Sequence, residues 1–540
     1  MFRIVKTAAM AAALGLLCLT AAPLPQIVKQ GRKFTLMVDG KPFIILGGQV
    51  NNSSGWPSRM QEIWPVFKAL NANTGEIPVY WETVEPKPGE FRFEAVDQII
   101  RDARVQNMRL ILLWFATWKN GVMDYAPGWV KQDTTKYPRM IDSGGKPVRV
   151  LSPHSEATMN ADRAAFVAFM RHLKEIDGDA HTVIMVQVEN EPGSLFTDRD
   201  HSPSSNKLFE GPAPVALTTA LKRPEGTWTQ AFGPEADEAF AAWHVARYIN
   251  EIAAAGKKEY GLPLYVNVWL REQKNFMHPG EAYPSGGATS NMLDVWKAAA
   301  PAIDVIAPDI YVMDYASYRK VCESYSRPDN ALLIPETGGF GAFARYMFYA
   351  LADYDSLGFA PFGIDRISTA VVPEGIPGTN AGTSLMDLVR PMMDNYRLLA
   401  PALDQIAAWQ GTGKLRSAVE EDQITERLLN FTDYEVLAQF GRPQVSYGGT
   451  FASGTEKKTG RSMIAEIAPD EFVIIGFDTR VRFEPHRGSK LRNTQFLLVE
   501  EGKFENGVWK PARRLNGDES FFGLSLPASG AILRAKLMSY

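Results

Sequence analysis

Two glutamates stand at the ends of apolar runs. Glu191 follows Val183-Ile184-Met185-Val186-Gln187-Val188-Glu189-Asn190, and Glu336 follows Ala331-Leu332-Leu333-Ile334-Pro335. Short apolar runs closed by turn residues read as buried strands. Pro192-Gly193 and Thr337-Gly338-Gly339 supply those turns. In a parallel (β/α) barrel the C-terminal ends of the strands form the active-site face. Two carboxyl groups across a cleft are the minimum equipment for glycoside hydrolysis. One protonates the leaving oxygen, which needs a pKa raised by burial in an aromatic cleft or by a nearby second carboxylate. The other attacks the sugar carbon. Asn190, just before Glu191, can hydrogen-bond a neighbouring sugar hydroxyl. The bland alternative for Glu191 is a solvated strand end or a rim ion pair, and Glu336 alone is the weaker signal of the two. The pair is far more specific, because the fourth and seventh strands of a barrel face each other.

The elements that must position these groups alternate strand and helix from about 35 to 370. Strands are expected at 42–50, 72–81, 109–118, 183–189, 264–270, 303–311, 332–336 and 359–364. Helical spacing appears at 64–71, 93–107, 161–176 and 235–260, with a Pro-, Ser- and Asp-rich insertion at 194–225. Eight strands separated by helices predict a (β/α)8 TIM barrel. No GxGxxG turn follows the first strand, which argues against a Rossmann fold. A helical stretch at 385–409 is interrupted by Pro391 and Pro401. Strands at 472–477, 479–483, 496–500 and 531–538 then predict a smaller C-terminal β-sandwich. The expected division is 33–411 for the barrel and 412–540 for the sandwich.

The 540-residue length suits two or three domains, and a net charge of −4 without a basic tract disfavours nucleic acid as a partner. Arg3 and Lys6 followed by the uncharged stretch Thr7 to Ala22 predict an export signal over 1–22, too short to span a bilayer. The expected location is periplasmic or secreted. Cys18 falls in that segment, so only Cys322 would remain, which excludes an internal disulfide and the usual Cys/His zinc sites.

The pairing resembles the clan of (β/α)8 retaining glycosidases with the acid/base on strand four after an Asn and the nucleophile on strand seven. Within that clan, Val186-Gln187-Val188-Glu189-Asn190-Glu191-Pro192-Gly193 is similar to the V-Q-V-E-N-E-Y-G signature of glycoside hydrolase family 35, the β-galactosidases. Glu85-Pro86-Lys87-Pro88-Gly89-Glu90-Phe91-Arg92-Phe93 is similar to that family's H-E-P-x-P-G-x-F-x-F segment. The resemblance implies Glu191 as acid/base, Glu336 as nucleophile and Asn190 as sugar ligand, with no metal or organic cofactor. Departures are Trp81-Glu82-Thr83-Val84-Glu85-Pro86 where W-N-x-H-E-P is common, Ala116-Thr117-Trp118 where A-E-W is common, and Pro192 in place of Tyr. They place the chain on a divergent bacterial branch, similar to side-chain galactosidases acting on xyloglucan oligosaccharides.

Position nominates further substrate-binding residues. Tyr311 ends strand six and could hydrogen-bond Glu336. Trp114, Trp118 and Trp269 fall at strand ends and could stack on sugar faces. Gln49, Asn51 and Asn52 follow strand one and could read hydroxyls, as could Lys119 and Asn120. Glu189 points opposite to its neighbours, which predicts a structural salt bridge. The expected activity is a retaining exo-β-galactosidase acting on oligosaccharides or polysaccharides. Another exo-glycosidase of the clan (β-glucoside, α-L-arabinoside or β-fucoside) and a non-catalytic carbohydrate-binding barrel are the alternatives. Aglycone and oligomeric state are not legible in the sequence.

Overall fold

The structure is a computed structural model that describes residues 22–273, 278–367, 384–441, 455, 457–488, 490 and 493–540. The expected export segment lies outside the described residues except for Ala22.

Eight parallel strands close into a barrel: β1 Ile45–Gln49, β2 Thr74–Tyr80, β3 Arg109–Lys119, β4 Val183–Asn190, β5 Leu264–Trp269, β6 Val305–Ile310, β7 Ile334–Thr337 and β8 Gly358–Pro361. They pair in chain order, and β8 returns to β1. Their continuous apolar character has a direct cause. Side chains on one face fill the barrel and those on the other meet the helices, so neither face is wet. The helices Glu156–Asp177 and Ala236–Glu259 pack closely outside β3 and β4. Gly256 permits this approach, since a Cβ there would sit 2.3 Å from Phe166 Cε1.

The first strand begins later than the sequence suggests. Pro42 belongs to an antiparallel meander of strands Gln26–Gln30, Lys33–Val38 and Lys41–Pro42. Leu36 and Val38 of this meander pack with Ile45, Ile111, Ile184, Val305 and Leu333, sealing the end of the barrel away from the glutamates. Pro401 lies in a short 3-10 turn that separates two helices, as expected, but Pro391 sits inside the uninterrupted helix Leu385–Leu399. Val389, Met392 and Tyr396 are buried by that helix, and tertiary packing holds it together across the missing amide.

The C-terminal strands are β9 Leu415–Val419, β10 Glu426–Asn430, β11 Tyr434–Phe440, β12 Arg461–Ala468, β13 Glu471–Phe477, β14 Thr479–Pro485, β15 Thr494–Glu505, β16 Val508–Arg514, β17 Leu524–Leu526 and β18 Ala531–Ser539. They form a six-stranded sheet, β9-β12-β13-β18-β15-β16, and a four-stranded one, β10-β11-β14-β17. Tyr434, Val436 and Phe483 of the smaller sheet meet Phe472, Ile474 and Leu533 of the larger in a shared core. The sandwich is docked on the barrel. The buried Arg461 guanidinium donates to Asn395 Oδ1 at 2.7 Å and lies 3.9 Å from the centre of the Phe477 ring.

Candidate active site

β4 is buried along its whole length and ends abruptly. Glu189 (φ 63°) and Glu191 (φ 43°) both adopt the left-handed conformation on either side of Asn190. The Glu191 backbone N–H donates to Asn267 Oδ1 on β5 at 2.8 Å. Its carboxyl group is buried, and its pKa is pushed up to about 7 by burial first and then by the Glu336 charge. Lys119 and hydrogen-bonding contact with Asp309 pull the other way. Such a group carries a proton near neutral pH and can give it up.

Glu336 occupies a different environment. Gln49 Nε2 donates to its Oε2 at 2.9 Å, and the Tyr311 hydroxyl donates to its Oε1 at 2.8 Å. Both carboxyl oxygens therefore accept a hydrogen bond, which fixes the orientation of the group. Burial and the Glu336 charge push the Tyr311 pKa far up, so the phenol keeps its proton and remains a donor. Oxygens of Glu191, Glu336 and Asp309 lie within 4.8 Å of one another. Oxygens this close are in keeping with a carboxylate that attacks the sugar directly, for which the carboxyl groups stand about 5–5.5 Å apart. The Tyr311→Phe variant should lose about 10–100-fold in kcat/KM, the worth of one hydrogen bond to a charged group. Steady-state kinetics beside an unchanged melting temperature would show it.

The remaining nominated residues divide into two groups. Asn190 Oδ1 accepts from Lys119 Nζ at 2.8 Å, while its buried Nδ2 has no partner among the described residues and is free to donate to a ligand. Lys119 also lies 5.1 Å from the centre of the Phe115 ring, which fixes its stem. Trp269, at the end of β5, is half-buried and keeps an open surface. These residues stay with the glutamates, and Gln49 joins them through Glu336.

Three nominated residues are committed elsewhere. Trp114 faces outward, stacks on Phe169 and donates its indole N–H to Asp162 Oδ1 at 3.0 Å. Trp118 packs edge-on against Tyr248 of the outer helix and is fully buried. Being on β3 next to a helix layer, both serve packing and not sugar stacking. Asn51 gives its side-chain amide and its backbone N–H to Asp365 Oδ1, so it braces the loops after β1 and β8. Glu189 forms no salt bridge among the described residues. It accepts from the Trp118 backbone N–H at 2.7 Å and shares a buried contact with the carboxyl of Asp162, and burial raises its pKa well above the usual range. Glu85 is structural as well: it accepts from Trp81 Nε1 at 2.8 Å and from the Gly89 amide at 2.7 Å, locking the loop after β2.

Sequence reasoning passed over Asn267, Asp309 and Glu76. Each is a fully buried polar residue inside an otherwise apolar barrel strand. That mismatch is the signal that could have found them, since a polar group in such a place must face something specific. Asn267 Nδ2 donates to Asp309 Oδ2 at 2.7 Å. Burial together with the Glu336 charge holds the Glu76 pKa well above the usual range, against the opposing contact with the Tyr265 hydroxyl. Glu191, Asp309 and Glu336 are near enough to bracket a metal ion. Their donor set argues for another use, since Gln49, Tyr311 and Asn267 already aim N–H and O–H groups at the oxygens a cation would need.

Comparison with known proteins bears on this arrangement. Residues 52–258 match the β-galactosidase model of glycoside hydrolase family 42. The segment includes β2 to β4 and Glu191, and the match points to family 42 where the sequence motifs suggested family 35. Residues 392–527 match a domain of unknown function, DUF5597. A β-galactosidase of Xanthomonas manihotis is 28% identical over 212 residues, 37% of this chain and 32% of that protein. β-Galactosidase 12 of Oryza sativa subsp. japonica is 25% identical over 211 residues, 37% of this chain and 21% of that protein. The chain thus spans a third or less of these curated relatives. The crystal structure of β-galactosidase from Bacillus circulans sp. alkalophilus aligns at TM-score 0.48 and 14% identity, covering 67% of this chain and 57% of that one.

Proposed function

We propose that the protein is a retaining exo-glycosidase that removes terminal β-D-galactose, with Glu336 as nucleophile and Glu191 as acid/base. One observation carries the reading: two carboxyl groups with oxygens within 4.8 Å occupy opposite environments. Glu336 is held by two donors, and Glu191 is buried with a pKa near 7. A buried carboxyl that keeps its proton beside one held by two hydrogen-bond donors suits the separate roles of acid and nucleophile. Glu336 attacks the anomeric carbon as Glu191 gives its proton to the departing oxygen, leaving a covalent galactosyl ester. Glu191, now ionised, takes a proton from water, and the water oxygen displaces Glu336. Galactose leaves with its configuration retained. Asn190 Nδ2 is placed to hydrogen-bond the sugar hydroxyl next to the reacting carbon, a contact that strengthens in the transition state.

The β-galactosidase family match and the β-galactosidase relatives support galactose as the sugar. The protein would act outside the cytoplasm if residues 1–22 direct export, and galactosylated xyloglucan oligosaccharides are the polymer fragments to try. The test is nitrophenol release from the β-D-galactoside beside the β-glucoside, β-fucoside and α-L-arabinoside. Dominant galactoside turnover is expected, with kcat/KM falling above about pH 7 as free Glu191 loses its proton. Turnover of another glycoside would keep the two-glutamate mechanism and sink the sugar. Binding of galactose without turnover of any would point to a non-catalytic barrel.

A further inference from the structure

We propose that Asp309 is a positioning residue: a neutral carboxylic acid whose O–H is donated to Glu191, setting the strength of the acid/base group. The inference rests on the reading of Glu191 as acid/base. Its basis is a chain of two hydrogen bonds whose directions are forced, ending at a buried Asp309 oxygen beside Glu191.

The Glu191 backbone N–H can only donate, so the Asn267 side-chain atom that meets it at 2.8 Å is the carbonyl oxygen. The other end of that side chain is then the amide NH2, which donates to Asp309 Oδ2 at 2.7 Å. Oδ2 is therefore an acceptor, and any proton on Asp309 sits on Oδ1. Asp309 Oδ1 is buried and meets no donor among the described residues, while oxygens of Asp309 and Glu191 lie within 4.8 Å of each other and the two carboxyls act on one another. Two bare carboxylates in contact with no hydrogen between them would be costly in a dry site. A proton on Oδ1 turns that contact into a hydrogen bond.

The surroundings point the same way. Glu191 beyond β4, Glu336 on β7, Lys119 at the end of β3, Tyr265 on β5, and Tyr311 and Tyr325 beyond β6 are the titratable groups that bear on Asp309. Lys119 is the one cation among them, and its ammonium is already bound to Asn190 Oδ1. Asp309 itself is fully buried. Burial and the neighbouring carboxylates raise its pKa well above the ordinary value, in keeping with a neutral acid. A donor held against Glu191 favours the ionised form of that residue, which the second half of a double displacement needs as a base.

Two variants separate a neutral donor from a charge. In Asp309→Asn the amide oxygen can accept from Asn267 and the NH2 can donate to Glu191 in place of the acid O–H. The alkaline limb of kcat/KM should then move by less than about 0.3 pH unit. In Asp309→Leu the donor is gone, and the limb should move up by about half a unit to one unit. Were Asp309 ionised, both variants would remove a negative charge and move the limb down by about one unit or more, which overturns the proposal. Either variant decides the matter if the other fails to fold. Infrared difference spectra of wild type minus Asp309→Asn at neutral pH give a readout free of turnover. Loss of a protonated carboxylic acid band supports the proposal, and loss of a carboxylate band refutes it. A wild type inactive on every glycoside would sink the glycosidase reading and leave this spectrum to judge Asp309 alone.

Discussion

Glu336→Ala is expected to lower kcat/KM for an aryl β-galactoside on the order of 10⁴–10⁶-fold while the fold is kept. The size follows from what is lost. The covalent route disappears, and Gln49 and Tyr311 are left pointing at a space with no charge. That space lies beside the anomeric carbon on the face away from the leaving group. Added azide should fill it and attack from there, and the product would be a galactosyl azide of inverted configuration, seen by NMR. If the variant keeps a tenth of the wild-type rate, or if azide gives the retained product, Glu336 is not the nucleophile.

Glu191→Ala should have the second largest effect, and its signature is different. The loss is about 10²–10⁴-fold, the usual contribution of a positioned proton donor. It should be severe for substrates with poor leaving groups and slight for the first step with nitrophenol, which departs without help. The ester intermediate then accumulates, so a burst of nitrophenol should precede a slow steady state. Azide should speed release and give the retained galactosyl azide, since it now attacks the ester from the side water uses. The decline of activity above about pH 7 should also vanish, because the group that titrates there is gone. An unchanged pH profile in the variant would move the acid/base role elsewhere.

Much of this site was legible because barrel strands advertise themselves. The runs ending at Glu191 and Glu336 are apolar on both faces, and the strand-end rule then places the two carboxyls without any knowledge of the loops. Tyr311 was legible for the same reason, one residue past β6 and next to β7. Two of the three tryptophans were misjudged because a strand end does not reveal which face a side chain takes. Trp114 and Trp118 took the outer face, where helices wait for large rings. Asn51 was misjudged because its partner, Asp365, lies 314 residues away in sequence. In the sandwich, β9, β10, β11, β12, β16 and β17 escaped notice; β10 and β16 are largely exposed, and residues such as Arg427, Lys510 and Arg513 mask the alternation that marks a strand.

The two left-handed residues around Asn190 bear on how such a site persists over generations. A side chain other than glycine, asparagine or aspartate at positive φ costs about 1–2 kcal/mol, and this chain bears that cost at both Glu189 and Glu191. Exchange of Glu191 for glycine would relieve the strain and remove a buried acid in a single step. On the proposed mechanism, this route to a sturdier protein runs straight through the loss of activity. Random drift would take that route readily, and only selection on what the carboxyl does would hold the lineage back.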